Sequence, residues 1–527
     1  GPTGVGKSRL ALRYAELAAS RGAPVVWADL TGIDSGDGVV IAVARVLGID
    51  GVSDVGDVDL RIGHALRHDE TLLIVDNADG VADSLGRLLS GWLARAPNAT
   101  CLVTTRQRLR WHGERSLELG PLSLPEGDDL SRSEAAMLLL ARARAVRPNF
   151  RVGEGGAGTL ARIVRLLDGL PLAIELAAAR LDVFEPDALL QRLEAGSADL
   201  RGPGRYGDTS LREAFASSVT DLDEPLRALL GRATVFAAPF ELAAAEAVLA
   251  DDEADRALVL GRLDALRDRS MLRLLRDEGV GRYALLRSMR PVAQAAISAA
   301  TYARTVERHQ AWLASTARDL RGRLDRHGAA EALRRLQRLR DELGAAVAAS
   351  MADSSEAKKL DDDHGAQLLA LAELRLRRGP HEGLVELLSA ALKRAPSAET
   401  TAQLRLVLGR QLIAEGRFGE ARVAVEAAVT RVGPEALALL GQAALRQGRA
   451  EEARAFCARG LQLCRDGIAV HTTGSLLLVE AEALCSLGHS ALAGSAAVPD
   501  AAAVTAERAA DALRAIGDAH LEATALL

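Results

Sequence analysis

The sequence predicts a multidomain protein of the α/β plus α class: a parallel-sheet domain, then helices, then an α-solenoid. Three observations predict it. The first 120 residues alternate short apolar runs with helical segments, the pattern of a parallel sheet wound by helices. From about Leu130 the strand signal disappears and helical periodicity takes over. Beyond residue 360 small and apolar residues recur with a period near the ~34 residues of stacked helical pairs.

Composition sets the limits. A length of 527 residues is too great for one core and suggests three or four domains. Apolar residues make up 49% but aromatics only 3%, so Leu, Ala and Val must fill the cores, and the enrichment in Ala, Leu and Arg favours helices. A net charge of -6 argues against a large basic surface for nucleic acid. Cys101, Cys457, Cys464 and Cys485 form no C-x-x-C pair, so neither a disulfide framework nor a zinc site is indicated, and buried reduced thiols are expected. No apolar run reaches the ~18 residues of a membrane span, and no signal peptide is visible. A cytoplasmic location and no membrane partner are the expectation. The chain begins at Gly1 inside a motif and stops within a helical pattern, so it reads as a fragment whose first strand lies before Gly1.

Gly1-Pro-Thr-Gly-Val-Gly-Lys-Ser8 fits G-x-x-x-x-G-K-[ST] and runs directly into a helix over Ser8 to Ser20. Glycines let the backbone wrap phosphates with successive N–H groups pointing inward, and the helix start adds favourable partial charge. Lys7 is expected to reach the β- and γ-phosphates and the Ser8 hydroxyl to ligate Mg²⁺. The binding set is Gly1, Thr3, Gly4, Gly6, Lys7, Ser8 and Arg9.

Val25-Val26-Trp27 reads as the next strand, Thr71 to Val75 and Cys101 to Thr104 as two buried ones, and Ser116 to Leu119 as a candidate fourth. A phosphate loop calls for a later buried strand ending in an acid, and Leu72-Leu-Ile-Val-Asp76 supplies it, with Asp76 as the second Mg²⁺ group. Asn77 stands where a fast ATPase often carries Glu, and Asn cannot be a general base. Slow hydrolysis is expected, with Asp79 as a candidate helper. Cys101-Leu-Val-Thr-Thr-Arg106 ends in two hydroxyls and a cation, an arrangement suited to telling ATP from ADP, with Arg106 donating to the terminal phosphate. Asp76 and Arg106 are thus the catalytic candidates.

Residues 131 to 200 read as helices, including Leu170 to Leu181, which begins at Asp168-Gly-Leu-Pro-Leu-Ala173. The Gly-rich run from Arg201 to Gly207 marks a boundary. Between 209 and 298, helices end in two strand candidates, Met271 to Leu275 and Arg282 to Leu286, suggesting a winged-helix module. Residues 300 to 355 read as amphipathic helices, and Asp361-Asp-Asp-His364 as a linker. Gly379, Gly416 and Gly448 then occupy equivalent turns of helical repeats whose concave face suits a protein partner.

In order, these motifs resemble the NB-ARC-like branch of the STAND ATPases, bacterial ATPases that accompany regulators of the LuxR, MalT and AfsR kinds. Gly1 to Ser8 resembles their Walker A, Leu72 to Asp79 their Walker B, Leu102 to Arg106 their sensor strand, and Asp168 to Leu181 their most distinctive helix. The resemblance implies a P-loop NTPase domain at 1–125, a helical lid at 126–205, a winged helix at 206–298, linking helices at 299–360 and tetratricopeptide-like repeats at 361–527. It implies that Pro171 lies near the adenine. It further implies an ATP/ADP switch with Mg²⁺, a protein or small-molecule signal read by the repeats, homo-oligomerisation in the ATP state, and DNA contact only through an output domain outside this fragment. Ser210-Leu-Arg212, Val235-Phe236 and Arg282 to Leu286 look like the family's winged-helix segments. Arg287 departs from the family, which carries an acid there, and puts tight ADP locking in question, whereas Arg290 matches. Two other readings stay open: a DNA-engaging P-loop motor using Arg262, Arg267, Arg269 and Arg273, and a repeat scaffold with a vestigial nucleotide site.

Overall fold

The structure is a computed structural model describing residues 1–49, 55–67, 70–109, 111–153, 155–195, 211–277, 279–324, 329–352, 360–377, 382–394, 397–464, 470–490 and 497–514. The expected boundary at Arg201 to Gly207 and the turn at Gly379 lie outside these residues, as does Ser210. The chain divides into two units: Gly1–Val235 with Pro239–Thr305, and Phe236–Ala238 with Val306–Leu527.

In the first unit α1 (Lys7–Ser20), β1 (Val25–Asp29), α2 (Gly36–Val46), α3 (Val55–Ala65), β2 (Leu72–Asp76), α4 (Ala82–Arg95) and β3 (Thr100–Val103) follow in order. The three strands are parallel in the order β1-β2-β3, with Val25 opposite Leu72 and Leu72 opposite Thr100. β2 is buried along its whole length, as a central parallel strand must be. Its side chains alternate: Leu72 and Ile74 meet Ala11 and Ala15 of α1, while Leu73 and Val75 enter the core with Val39, Val43, Leu85 and Leu89. Trp92 closes that second core, fully buried, with its indole N–H donating to Asp59 at 2.6 Å.

Ser116 to Leu119 is not a strand. With β3 it lines a cavity of about 530 Å³ whose walls include Leu10, Leu102, Val103, Leu117 and Leu119. Leu117 is 79% exposed.

The helices α5 (Glu134–Val146), α6 (Gly156–Leu166), α7 (Pro171–Arg180) and α8 (Pro186–Glu194) follow, then α9 (Leu211–Thr220), α10 (Glu224–Ala233), β4 (Phe240–Glu241), α11 (Leu242–Leu249), α12 (Glu253–Asp268), β5 (Leu272–Asp277), β6 (Val280–Leu285) and α13 (Arg290–Ala295). β5 and β6 form the expected hairpin, and β4, too short to leave a sequence signal, pairs antiparallel with β6. Ser133 and Asp252 cap α5 and α12 by accepting the N–H three residues on.

α14 (Ala299–Arg323) leads into the second unit, which continues with α15 (Ala329–Arg338), α16 (Arg340–Ala352), α17 (Asp362–Leu376), α18 (Leu384–Arg394), α19 (Ala398–Ala414), α20 (Phe418–Glu426), α21 (Val429–Arg446), α22 (Ala450–Cys464), α23 (Val470–Ser490) and α24 (Ala497–Arg514). Asp361 to His364 is not a linker but the start of α17: Asp361 accepts the His364 N–H at 2.8 Å, an N-cap that offsets the charge run. Gly416 and Gly448, both with positive φ, turn α19 into α20 and α21 into α22, matching the repeat read from their spacing. α21 kinks at Gly433, because Pro434 has no N–H to give and disfavours helical geometry before it. The thiols are not uniformly buried: Cys457 is, whereas Cys485 is exposed. Burial pushes the thiols of Cys101 and Cys457 up to about 12.

Gly409 lets α19 approach α20 so closely that an added Cβ would stand 2.2 Å from Val425 Cγ2. Val425 is β-branched and buried and cannot swing aside. Gly409→Ala is expected to cost about 1–3 kcal/mol, and Val425→Ala in the same chain to recover part of it. Chemical denaturation of the two single variants and the double checks this; additive losses would contradict the packing argument.

Candidate functional site

The site forms where parallel strands end and α1 begins, the edge at which open α/β sheets collect their functional groups. Gly4 and Gly6 hold φ of 78° and 99°, so the loop from Gly1 curls in a way that side-chain-bearing residues resist. Gly6 is the N-cap of α1 and makes no side-chain cap, which leaves the first-turn N–H groups to another acceptor. Lys7 reaches back across the loop, its Nζ donating to the carbonyls of Gly1 at 2.9 Å and Pro2 at 3.1 Å. Burial pulls its ammonium down from the ordinary 10.5 to about 8, with Asp79 and Asp76 opposing the fall and Arg106 adding to it. Arg9 is exposed on α1.

Asp76, 5% exposed at the end of β2, accepts the Ser8 hydroxyl at 2.8 Å and the Thr104 hydroxyl on the same oxygen. Three segments distant in sequence are thereby pinned to one carboxylate. Asn77 sits in the left-handed region at φ 61°, a conformation Asn tolerates. Its backbone N–H donates to Thr104 Oγ1 at 3.1 Å, and its amide donates to Asp29 at 3.2 Å and Thr31 at 2.9 Å. The Thr31 hydroxyl, then its backbone N–H and Asn77, hold the Asp29 carboxyl below the usual range against its partial burial.

Asp79, the candidate helper, is already engaged by the end of the neighbouring strand. Its carboxylate accepts the Thr105 hydroxyl at 3.1 Å and the Arg106 backbone N–H, and pairs with Arg106 Nε at 2.9 Å. The Arg106 guanidinium also bonds the Ser218 hydroxyl and lies 3.5 Å from Asp221, just beyond the end of α9. The Ser270 hydroxyl donates to the Arg106 carbonyl at 2.6 Å. Ser218 is buried and its Oγ lies 3.4 Å from Thr3 Oγ1, so one hydroxyl stands between the loop and the cation.

Pro171 is the first residue of α7, and Leu172 N–H donates to the Gly4 carbonyl at 3.1 Å. The loop from Gly1 to Ser8, Asp76, Arg106 and the start of α7 therefore meet in one place. Sequence reasoning missed Asp29, Thr31, Ser218 and Asp221. Asp29 had a signal, an acid ending a strand of the same parallel sheet. Ser218 and Asp221 had none, since a hydroxyl and an acid on a polar helix face are ordinary until a distant arginine finds them.

Among the described residues no cluster of three or more His, Cys, Asp or Glu could hold a metal. The oxygen pair of Ser8 and Asp76 nonetheless suits a hard divalent cation that takes its remaining ligands from phosphate and water.

No protein-family model matches the chain. Over 301 residues it is 34% identical to "Uncharacterized protein Rv0894" of Mycobacterium tuberculosis, a match covering 56% of this chain and 74% of that protein. The chain belongs to the family of Rv0894. "Uncharacterized protein Mb0918" of Mycobacterium bovis is related by the same identity and coverage. The chain is also 31% identical over 297 residues to "Putative HTH-type transcriptional regulator Rv0890c" of M. tuberculosis, covering 55% of this chain and 32% of that protein. Among solved structures it is similar to a STAND protein with a tetratricopeptide repeat sensor, PH0952 of Pyrococcus horikoshii, with a TM-score of 0.38 and 15% identity across 100% of this chain and 75% of that one. Among the described residues no helix is long and apolar enough to cross a membrane.

The lowered Lys7 value sets a pH dependence. Between about 8 and 10.5 the unfolded chain holds a proton on Lys7 that the folded chain has released, so this group's contribution to stability rises with pH through that window. Below it the cost of burying the ammonium is fully present. Lys7→Met is expected to be more stable than the parent at pH 7, with the gap closing toward pH 10.5; denaturation of both chains across that range checks it, and a constant gap would contradict the burial argument.

Proposed function

We propose that the chain is the ATP/ADP-binding switch of a signal-responsive regulator of the STAND kind, acting in transcription. In this reading residues 1–125 hold the nucleotide, 126–205 act as a helical lid, 206–298 form a winged-helix module, and 361–527 form tetratricopeptide-like repeats that read a protein or small-molecule signal. The observation that carries it is the convergence of Lys7, Ser8 and Asp76 with an arginine, Arg106, that also grips Ser218 and Asp221.

Lys7 would exchange its two carbonyl partners for β- and γ-phosphate oxygens. Ser8 and Asp76 would hold Mg²⁺, which would supply positive charge against the phosphates. Gly4 and Gly6 let the backbone come close enough for its N–H groups to reach the anion. Pro171 would pack beside the base. Hydrolysis should be slow, because Asn77 cannot take a proton and Asp79 is engaged by Thr105 and Arg106. Bound nucleotide, more than turnover, would then set the state.

Arg106 supports a switch because it has partners on two sides. A terminal phosphate would compete with Asp79, Ser218 and Asp221 for its donors, so ATP and ADP would leave α9 held differently. Moving such an equilibrium from 1:99 to 99:1 takes about 5.5 kcal/mol of differential binding, which one arginine cannot supply alone; the signal at the repeats must contribute. The relationship to Rv0890c, whose name places it among HTH-type transcriptional regulators, supports a role in transcription, with DNA contact through an output domain and self-association in the ATP state.

The DNA-motor reading finds less support. Arg262 pairs with Asp255, Arg267 with Asp264 at 2.9 Å, and Arg269 donates to the Ala265 carbonyl. Three of the four cations that suggested it are thus engaged along α12 and its C-cap.

Protein purified from its complete gene and then denatured should release about one equivalent of ADP, and Lys7→Ala should release none. Arg106→Ala should lose about tenfold in ATP affinity, roughly 1.4 kcal/mol, with little change for ADP. Absence of bound nucleotide together with no ATP or ADP binding on addition would sink the switch and favour the scaffold, as would partner binding indifferent to Lys7→Ala.

A further inference from the structure

The turn between α6 and α7 holds two consecutive left-handed residues, Asp168 at φ 55° and Gly169 at φ 66°. Gly169 is required there: a Cβ would stand 2.4 Å from the Leu122 carbonyl, and its own carbonyl accepts the Leu122 N–H at 3.0 Å. Asp168 is among the few side-chain-bearing residues that enter that conformation readily, and here it is also held in place. Its carboxylate supplies the hold. One oxygen, Oδ2, accepts both the backbone N–H and the hydroxyl of Ser288, each at 2.8 Å, from the turn Arg287–Met289 that follows β6.

Four residues further on, Leu172 donates its N–H to the Gly4 carbonyl, and its Cβ lies where a side chain on Gly4 would stand, 2.8 Å away. In a trans peptide the C=O and the next N–H point in opposite directions. Fixing the Gly4 carbonyl toward α7 therefore turns the Val5 N–H to the other side of the loop. The strap from 168 to 172 has little slack: two residues are held left-handed and Pro171 has a locked φ.

We propose that Asp168 is a positioning residue of the nucleotide site, tying the turn after β6 to the phosphate loop through the first turn of α7. The inference rests on the nucleotide-binding reading and adds to it a residue and a direction of control: movement of the 287–289 turn releases Asp168, loosens α7 and frees Gly4. It also accounts for Arg287. Burial raises the Asp168 carboxyl above its usual range, while the backbone N–H groups of Ser288 and Arg287 and the Arg287 charge oppose the rise. An acid at position 287 would add a like charge beside a buried carboxylate; Arg287 favours the ionised form that accepts both Ser288 bonds.

The test is release of a fluorescent N-methylanthraniloyl ADP from the full chain, chased with excess ADP in a stopped-flow instrument. Asp168→Asn keeps the shape and tolerates the left-handed backbone but removes the charge, and should speed release about tenfold. Ser288→Ala should act in the same direction, the double variant should be no faster than Asp168→Asn alone, and Ser288→Thr, which keeps the hydroxyl, should restore the parent rate. Arg287→Glu should also speed release. Tight parental binding with unchanged release in Asp168→Asn and Ser288→Ala, or multiplicative effects in the double variant, would overturn the latch and leave the nucleotide reading standing. Failure of the parent to bind the probe would overturn the nucleotide reading and the latch with it.

Discussion

The site depends on one buried carboxylate. Asp76 ends the most deeply buried strand of the parallel sheet and accepts hydroxyls from Ser8 at the start of α1 and Thr104 after β3. A carboxylate removed from water must find donors, and hydroxyls brought from two other segments supply them, with the Lys7 ammonium nearby. Those bonds set where α1 begins relative to the sheet edge, and with it where the loop from Gly1, the Lys7 ammonium and the first-turn N–H groups stand. The same two oxygens, on Ser8 and Asp76, are the natural pair for a divalent cation. One arrangement can therefore serve both the fold and the chemistry proposed for it.

Around that anchor, polar contacts run outward in two directions. Through Thr105 and Arg106 the sheet edge is bound to Asp79 on one side and to Ser218 and Asp221 on the other. Through Gly4 and Leu172 the phosphate loop is bound to α7, and α7 through Asp168 to Ser288. Each route includes a hydrogen bond between segments more than one hundred residues apart, Arg106 to Ser218 of α9 in the first and Ser288 to Asp168 in the second. Packing alone would hold these elements together but would not select among orientations. Directional bonds to particular oxygens do, which is why their partners are Ser, Asp and Arg in place of the Leu and Ala that fill the cores.

Much of this was legible in the sequence. The loop from Gly1 to Ser8, the strand ending at Asp76 and the strand ending near Arg106 are local patterns, because glycine spacing, strand burial and the terminal acid all lie within a few residues. The turn glycines Gly416 and Gly448 were legible for the same reason. The errors were equally physical. Ser116 to Leu119 has strand composition, but a strand needs a ladder partner, and the segment pairs with none of the described strands. Asp361 to His364 has linker composition, yet Asp361 is a helix cap.

By itself, then, the sequence determined most of the segments that become strands and helices and where the glycine loop before α1 turns, because those follow from periodicity and from the conformational freedom of individual residues. Only the tertiary structure decided which partners the charged and hydroxylated side chains meet. Arg106 could face a phosphate or an acid, Ser288 could face water or Asp168, and nothing within ten residues of either distinguishes the outcomes. Their partners lie far along the chain, and a hydrogen bond depends on where two atoms finish in space.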